Sequence, residues 1–259
     1  MRIWSQSCGA FGKDPIWRDY EESCGRYVRK IAKPDTVVDF HGVNATIPGT
    51  TTTFFASEEC ARQAVTAAVR AEREGYDAYI MQSTLDPGHY AIKEMVNIPV
   101  VLMMETSLSL ALMLGHKFSF LTISPIMLLR LADKVKQYGL AERMVQGGCL
   151  DIDYSEMLGM FKNPPPYIEK ITKAVKEIVK RGADIIYCSP TPINMFCLEQ
   201  GIKEVDGAHI LDNFGCLVKM AELMVDLKNM GIIRSKHGLY AAPSKEVLAA
   251  LQRDYMGLC

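Results

Sequence analysis

Two segments of the chain share the same succession of a charged helix end, a glycine, a short apolar run and a polar turn. In the first, Gly75 precedes the apolar run Ala78–Met81. In the second, Gly182 precedes the apolar run Ile185–Tyr187. This repetition indicates an internal duplication. We therefore expect a chain of two similar halves, each with a buried strand that ends in a polar turn.

Short apolar runs alternate with helical patterns along most of the chain. The runs lack polar alternation, which is typical of parallel strands buried on both faces, and their alternation with helices predicts mainly parallel sheets covered by helices. The predicted strands are Arg2–Ser5, Thr36–Phe40, Ala78–Met81, Val100–Met103, Phe118–Thr122, Ile185–Tyr187 and His209–Leu211. The predicted helices include Ser57–Glu74, Tyr90–Val96, Leu108–Leu114, Pro125–Tyr138, Pro166–Arg181 and Phe214–Asn229.

The fold class that follows is α/β, with two pseudo-symmetric lobes that each contain a mainly parallel sheet flanked by helices. We assign residues 1–120 to the first lobe and residues 121–210 to the second. We expect residues 211–259 to form a C-terminal helical segment that packs back on the first lobe.

Composition excludes several classes of function. The 29 basic and 30 acidic residues give a net charge of −1, which argues against a nucleic-acid surface and against binding to anionic membranes. No apolar run is long enough to span a bilayer. The N-terminal residues enter a strand pattern directly, without the regions of a signal peptide. We therefore expect a cytoplasmic protein.

The 8 cysteines form no CxxC pair and no cluster with histidine at zinc-ligand spacing. In a chain of this size and apolar content we expect free thiols and no disulfide framework. The sequence also lacks HExxH and EF-hand motifs and a glycine-rich phosphate loop, so we expect neither a metal nor an organic cofactor. Most cysteines are expected to be small buried apolar residues, among them Cys24, Cys60, Cys149 and Cys216.

Ligands of parallel α/β sheets bind beyond the carboxyl ends of the strands. His41, after the second strand, can act as a general acid or base, or it can be a histidine that only bonds to a backbone carbonyl. Glu105 follows an apolar strand that would desolvate it and favour its protonated form, or it caps a helix that begins near Ser107. The polar residues selected by strand ends are Gln6, Ser7, His41, Ser83, Thr84, Glu105, Thr106, Ser124, Cys188, Ser189, Asp212 and Asn213.

Several short motifs resemble, in their order and spacing, the aspartate/glutamate/hydantoin racemase superfamily and in particular its hydantoin and allantoin racemase branch. The resemblance implies a two-lobed fold with the active site between the lobes. It also implies a cofactor-independent reaction in which two cysteines, one on each face of a substrate carbon, remove and return a proton. The motifs extend from about Ile3 to Asp226 and are Asp77-Ala78, Asp86-Pro87-Gly88, Leu114–Ser119, Gly182-Ala183-Asp184 and Leu211-Asp212.

This chain departs from that pattern at both cysteine positions. Ser83 occupies the first; at the second, strict counting selects Pro190, whereas a shorter turn selects Cys188. The arylmalonate decarboxylase branch, a more distant relative, keeps only the second cysteine. By that resemblance Cys188 is the single proton donor and Ser83 with Thr84 binds a carboxylate. This role requires a partly exposed Cys188 with a lowered pKa, aided by the turn Ser189–Thr191; the alternative is a buried, inert thiol.

These observations predict a cofactor-independent racemase, epimerase or isomerase that transfers a proton next to a carboxylate or carbonyl of a hydantoin-, amino-acid- or keto-acid-like molecule. The alternatives are a lyase or decarboxylase with a single acid, a hydrolase that opens a cyclic amide or diketone, and a catalytically inactive binding protein. We expect a homo-oligomer with a small-molecule substrate. The catalytic candidates are Cys188, Ser83, Glu105 and His41, and the substrate-binding candidates are Gln6, Ser7, Thr84, Thr106, Ser124, Ser189 and Thr191.

Overall fold

The computed structural model describes residues 1–258, in which short strands alternate with helices. No helix in this range combines the length and the apolar character needed to cross a membrane. The strands are β1 (Arg2–Ser7), β2 (Val37–His41), β3 (Ala78–Gln82), β4 (Val100–Leu102), β5 (Phe118–Thr122), β6 (Gly148–Cys149), β7 (Ile185–Cys188), β8 (Glu204–Val205) and β9 (Ala208–Ile210). The α-helices are α1 (Arg18–Ile31), α2 (Phe54–Arg73), α3 (His89–Met95), α4 (Met103–Leu114), α5 (Pro125–Gln137), α6 (Tyr154–Gly159), α7 (Pro164–Val179), α8 (Thr191–Glu199), α9 (Asn213–Asn229) and α10 (Lys245–Asp254).

The strands form two sheets, one in each half of the chain. The first sheet has the order β2-β1-β3-β4, and all its neighbouring strands are parallel. The second has the order β6-β5-β7-β9-β8, in which β8 and β9 are antiparallel and the other neighbours are parallel. Because neighbouring strands run the same way, their carboxyl ends share one edge of each sheet. The predicted α/β class, with mainly parallel sheets flanked by helices, is confirmed.

The predicted strands are all present with small shifts at their ends, but several elements are not among those predicted. β6 and β8 have two residues each, which is too short to carry a pattern. α8 is buried on most of its surface, so it lacks the amphipathic period that identifies a surface helix. The start of α2 is also displaced: the helix begins at Phe54 because the Thr53 hydroxyl caps it. The predicted cap, Ser57, instead donates its hydroxyl to the carbonyl of Thr50 at 2.9 Å.

Cys8 and Cys60 form a disulfide, so the prediction of free thiols is wrong for this pair. Their Cα atoms are 6.0 Å apart, since the end of β1 lies beside the second turn of α2. Local spacing rules miss such a pair because its members are 52 residues apart in the sequence. The free cysteines of the described chain are Cys24, Cys149, Cys188, Cys197 and Cys216.

After the second sheet the chain returns to the first one. α9 packs against β3 and β4, and its buried Glu222 accepts the backbone N–H of Lys33 at 2.6 Å. Lys33 also forms an ion pair with Asp226 of the same helix. The last part of the chain therefore packs against the first sheet, while the residue limits assigned to the lobes remain a prediction.

A buried carboxylate joins the two lobes. Asp86, after β3, has a positive φ of 46° and is 1% exposed. Its oxygens accept the backbone N–H groups of Met104 at 3.0 Å and Glu105 at 2.9 Å, which caps α4 at Met103, earlier than the predicted start. The hydroxyl of Tyr138, at the end of α5, donates to the same carboxylate at 2.7 Å. Burial raises the pKa of Asp86 to about 6.

His89 lies beside this carboxylate at the start of α3. Its Nδ1 is 3.2 Å from the Tyr138 hydroxyl, and its Nε2 is 3.4 Å from Nζ of Lys93. Lys93 is in turn paired with Glu105 at 2.5 Å. Burial, together with the charges of Lys93 and Lys134, lowers the pKa of His89 to about 3. The imidazole is therefore neutral at physiological pH.

We expect Asp86 and His89 to contribute to the pH dependence of stability with opposite signs. Between about pH 4 and 6, folded Asp86 keeps a proton that the unfolded chain releases, so its contribution to stability falls as pH rises. Below about pH 6.5, unfolded His89 takes up a proton that the folded protein excludes, so its contribution is lost as pH falls.

Urea unfolding at about pH 4, 5 and 6 tests whether the contributions of Asp86 and His89 to stability change with pH in opposite directions. Relative to wild type, the unfolding free energy should rise more steeply with pH in Asp86→Asn and less steeply in His89→Asn, each by up to about 1.4 kcal/mol per pH unit. Changes of the same sign in both variants would contradict the described network.

Candidate active site

A cleft opens between the two lobes at the carboxyl ends of their strands. Its cavity measures about 40 Å³, which is room for about three water molecules. The first lobe contributes residues that follow β1 and β3 or lie around the start of α2: Ser7, Cys8, Thr50, Thr51, Ser57, Cys60, Gln82, Ser83 and Thr84. The second lobe contributes Met127, Tyr154, Pro190, Thr191 and Pro192.

Hydroxyl groups dominate the polar surface of this cleft, and two of them bond across the lobes. Ser189 Oγ donates to Oγ1 of Thr84 at 2.9 Å, and Thr191 Oγ1 donates to Sδ of Met103 at 3.1 Å. Ser83 stands next to Thr84 and is partly exposed in the cleft. A hydroxyl can donate to a carbonyl or carboxylate oxygen, so this wall suits a ligand that carries either group.

The side-chain amide of Gln82 forms the floor of the cleft, and the phenols of Tyr20 and Tyr154 lie near it. Gln82 accepts the hydroxyl of Ser5 at 3.0 Å and donates its Nε2 to the Tyr20 hydroxyl at 2.7 Å. Burial raises the pKa of Tyr20 well above its ordinary range and the pKa of Tyr154 to about 12. Both phenols therefore stay protonated near neutral pH and act as hydrogen-bonding groups.

A wider cavity of about 520 Å³ forms the mouth of the cleft and shares Ser57, Leu85 and Pro87 with it. Arg130 of α5 lies at this mouth and donates to Ser57 Oγ at 2.6 Å and to the Thr50 carbonyl at 3.3 Å. It thus bridges the second lobe to the start of α2. A guanidinium at this position can donate hydrogen bonds to a carboxylate that enters the mouth.

Only some of the residues selected from the sequence lie in the cleft, and β1 shows why. Successive side chains of a strand point to opposite faces, so Ser7 lines the cleft whereas Gln6 lines a separate cavity of about 300 Å³. His41 lies in that outer cavity too, stacked on Trp4 with ring centroids 3.4 Å apart. Burial lowers the pKa of His41. Of the remaining candidates, the cleft includes Ser83, Thr84 and Thr191.

Four other candidates lie outside the cleft lining. Glu105 belongs to the first turn of α4, where it pairs with Lys93. Thr106 is buried in the same helix, and the Ser124 hydroxyl caps α5. Ser189 is fully buried and reaches the cleft only through its bond to Thr84.

The structure does not give Cys188 the environment that the proton-donor role requires. The thiol is fully buried at the end of β7 and does not line the cleft. A hydrogen bond with the Cys197 thiol, together with burial, raises the pKa of Cys188 well above its ordinary value. The proton-donor role requires a partly exposed thiol with a lowered pKa, so the structure agrees instead with the alternative of a buried thiol. β7 continues one residue beyond its predicted end, so that Cys188 belongs to the strand.

Sequence reasoning missed several residues of the cleft and its mouth, among them Cys8, Cys60 and Arg130. Cys8 follows β1 by one residue, and extending the strand-end rule by that residue would have selected it. Cys60 and Arg130 lie within long helices, where no local motif distinguishes them. Within residues 1–258, no group of three or more histidine, cysteine or acidic side chains is arranged to hold a metal ion.

Taken together, the two parallel sheets and the cleft between them define a two-lobed α/β protein with an interlobe ligand site. The model of the Asp/Glu/hydantoin racemase family matches residues 18–221. The chain belongs to this family, as its motifs predict.

Individual relatives agree with this assignment. The chain is 32% identical to a hydantoin racemase of Pseudomonas sp. (strain NS671) over 187 residues, which are 71% of each protein. Its fold is similar to that of the allantoin racemase from Klebsiella pneumoniae, with a TM-score of 0.79, 23% identity and coverage of 95% of this chain and 94% of that one. A liganded variant of arylmalonate decarboxylase is a more distant match, with a TM-score of 0.53, 16% identity and coverage of 86% and 92%.

We expect Cys188 to be inert towards alkylation in the folded protein because its thiol is buried and held by Cys197. Iodoacetamide should leave Cys188 unmodified in buffer and modify it fully in denaturant, as measured by peptide mass spectrometry. Cys149, which is half-buried, serves as the accessible control. Alkylation of Cys188 in the folded protein at the rate of Cys149 would contradict the described burial.

Proposed function

We propose that this protein is a cofactor-independent isomerase of the racemase or epimerase type, which transfers a proton at a carbon next to a carboxylate or carbonyl. The observation that carries the proposal is the cleft between two lobes, with Ser83 and Thr84 on one wall and Pro190 and Thr191 on the other. A planar carbon held between two walls is accessible on both faces, which inversion of configuration requires.

The polar groups of the cleft support a substrate that carries a carbonyl or carboxylate. Ser83 and Thr84 supply hydroxyl donors, and Arg130 at the mouth supplies guanidinium N–H donors. Relatives named hydantoin racemase and allantoin racemase favour cyclic amides of the hydantoin type as the first compounds to test. Amino acids and keto acids share the same arrangement of a carbon beside a carbonyl or carboxylate.

The proposal extends to the conditions under which the protein works. We propose that the reaction needs no metal and no organic cofactor, since a proton transfer next to a carbonyl requires only positioned acids and bases. A cytoplasmic location and a homo-oligomeric assembly are parts of the same proposal.

A second candidate is a lyase or decarboxylase that uses a single acid. The observation that favours it is the second-lobe wall, where Pro190 and Pro192 flank Thr191 and provide no group that titrates near neutral pH. With a proton donor on one face only, protonation of a planar intermediate would follow from that face. The product would then have a single configuration. In a decarboxylation, the substrate would first lose a carboxylate as carbon dioxide.

A screen in D₂O separates these candidates. The fully reduced protein, in dithiothreitol, is mixed with hydantoins, allantoin, amino acids and malonates, and products are followed by NMR and chiral chromatography. Deuterium incorporation with inversion is the expected result. Exchange without inversion, or loss of carbon dioxide, would favour the second candidate. Binding without any exchange would contradict both and indicate an inactive binding protein.

Two controls accompany the screen. Ser83→Leu fills the cleft and should lower turnover at least a hundred-fold, the lower range for loss of positioned proton transfer. The matched control Ser109→Leu lies on the exposed face of α4 and should leave turnover unchanged. Activity that is lost in a chelator and restored by one added metal would contradict cofactor independence.

A further inference from the structure

The cleft contains two sulfur atoms that the reaction proposed above does not use. Cys8 is the first residue after β1 and is partly exposed, whereas Cys60 lies in α2 and is 1% exposed. The two are joined as a disulfide, and both line the cleft beside Ser83. The pair thus lies in the first-lobe wall, next to the position where the family pattern predicts a catalytic cysteine.

The backbone around Cys8 is rigidly held. The Ser7 hydroxyl accepts the backbone N–H of Gly9 at 2.9 Å. A Cβ atom at Gly9 would lie 2.7 Å from the ring of Trp17. The backbone can therefore pass this close to the ring because residue 9 is a glycine. These contacts hold the backbone on either side of Cys8 in place relative to the cleft, which favours the positioning that proton transfer to a bound substrate requires.

The cleft offers few other groups that can exchange a proton. Among its described lining residues, the titratable side chains are Cys8, Cys60, Tyr20 and Tyr154. Both phenols have a raised pKa. A thiol has an ordinary pKa of about 8.5, so a few per cent is thiolate near neutral pH. The reduced cysteines are therefore the groups in this lining best able to act as bases.

The other free thiols do not replace them. Cys24, Cys188 and Cys197 are fully buried, and burial raises the pKa of Cys24 to about 12. Cys149 and Cys216 are half-buried but do not line the cleft.

We propose that the proton-transfer group of this protein is the Cys8 thiol, with Cys60 as its redox partner, and that the disulfide is an inactive form of the enzyme. This inference rests on the proposed function. It places the acting sulfur after β1 and its redox partner on α2, whereas the family pattern places the acting cysteines after β3 and β7.

Conversion of the inactive disulfide form into the active form requires a dithiol reductant. The dithiol supplies two electrons and two protons; the Cys8–Cys60 bond breaks to give two thiols, and the reductant becomes a disulfide. In the reduced enzyme, the Cys8 thiolate takes the proton from the substrate carbon and becomes a thiol, and the electron pair passes to the adjacent carbonyl. Return of the proton to the same face regenerates the thiolate, so this step accounts for exchange of the substrate hydrogen with solvent; inversion requires in addition protonation from the opposite face.

The first test needs no substrate. Purified protein is alkylated with iodoacetamide before and after treatment with dithiothreitol, and peptides are analysed by mass spectrometry. Cys8 and Cys60 should be linked and unmodified before reduction, and Cys8 should be modified in the folded protein after it. A Cys8 thiol that is free without reduction, or that stays unmodified after it, would overturn the inference.

The second test measures deuterium exchange into a compound identified by the D₂O screen. Exchange should rise at least a hundred-fold on reduction of the wild type and fall again on reoxidation, and Cys8→Ser should lack it both with and without dithiothreitol. Cys149→Ser is the matched control and should behave as wild type. Thermal unfolding of each variant checks that it folds, and the redox comparison within the wild type needs no substitution.

The outcomes distinguish this inference from the function on which it rests. If the reduced protein exchanges deuterium into none of the compounds, the proposed function fails and this inference fails with it. If exchange is equal in the oxidised and reduced forms, or persists in Cys8→Ser, the proposed function stands and the Cys8 assignment alone is overturned.

Discussion

The position of the cleft depends on the buried carboxylate of Asp86. One side chain caps α4 through two backbone N–H groups and accepts the hydroxyl of Tyr138 from α5. Because Asp86 belongs to the turn after β3, these bonds also fix the neighbouring residues Ser83 and Thr84 against the second lobe. The cost of burying this charge is reflected in its raised pKa, and the capped helix end offsets part of that cost.

Much of the fold is predictable from the sequence because buried parallel strands are continuous apolar runs. The site is predictable only in part, for reasons visible in β1 and β7. In β1, pleating sends Gln6 and Ser7 to opposite faces, and a rule that selects strand ends cannot separate them without an exact register. In β7, one further residue of strand buries Cys188. Contacts such as Cys8–Cys60 join distant parts of the chain, so no local pattern reveals them.

The two walls of the cleft carry different chemical groups, and they do not present one acid each to a bound substrate. The first-lobe wall carries hydroxyls and a sulfur pair, whereas the second-lobe wall carries Thr191 between two prolines. Of the two positions at which the sequence pattern predicts a cysteine, the first is Ser83, and the second is Pro190 by strict counting or the buried Cys188 by a shorter turn. Since fold does not determine function, the reaction must be established from the groups that line this particular cleft.

The central claim, that ligands bind between the lobes, can be tested with the two tryptophans. Trp17 lines the cleft, and Trp4 lines the outer cavity that contains His41. In a Trp4→Phe protein, titration with a hydantoin or a malonate should change the Trp17 emission in a saturable manner. The same titration of a Trp17→Phe protein should leave the Trp4 emission unchanged. A saturable change confined to Trp4 would contradict the account, because it would place the ligand in the outer cavity.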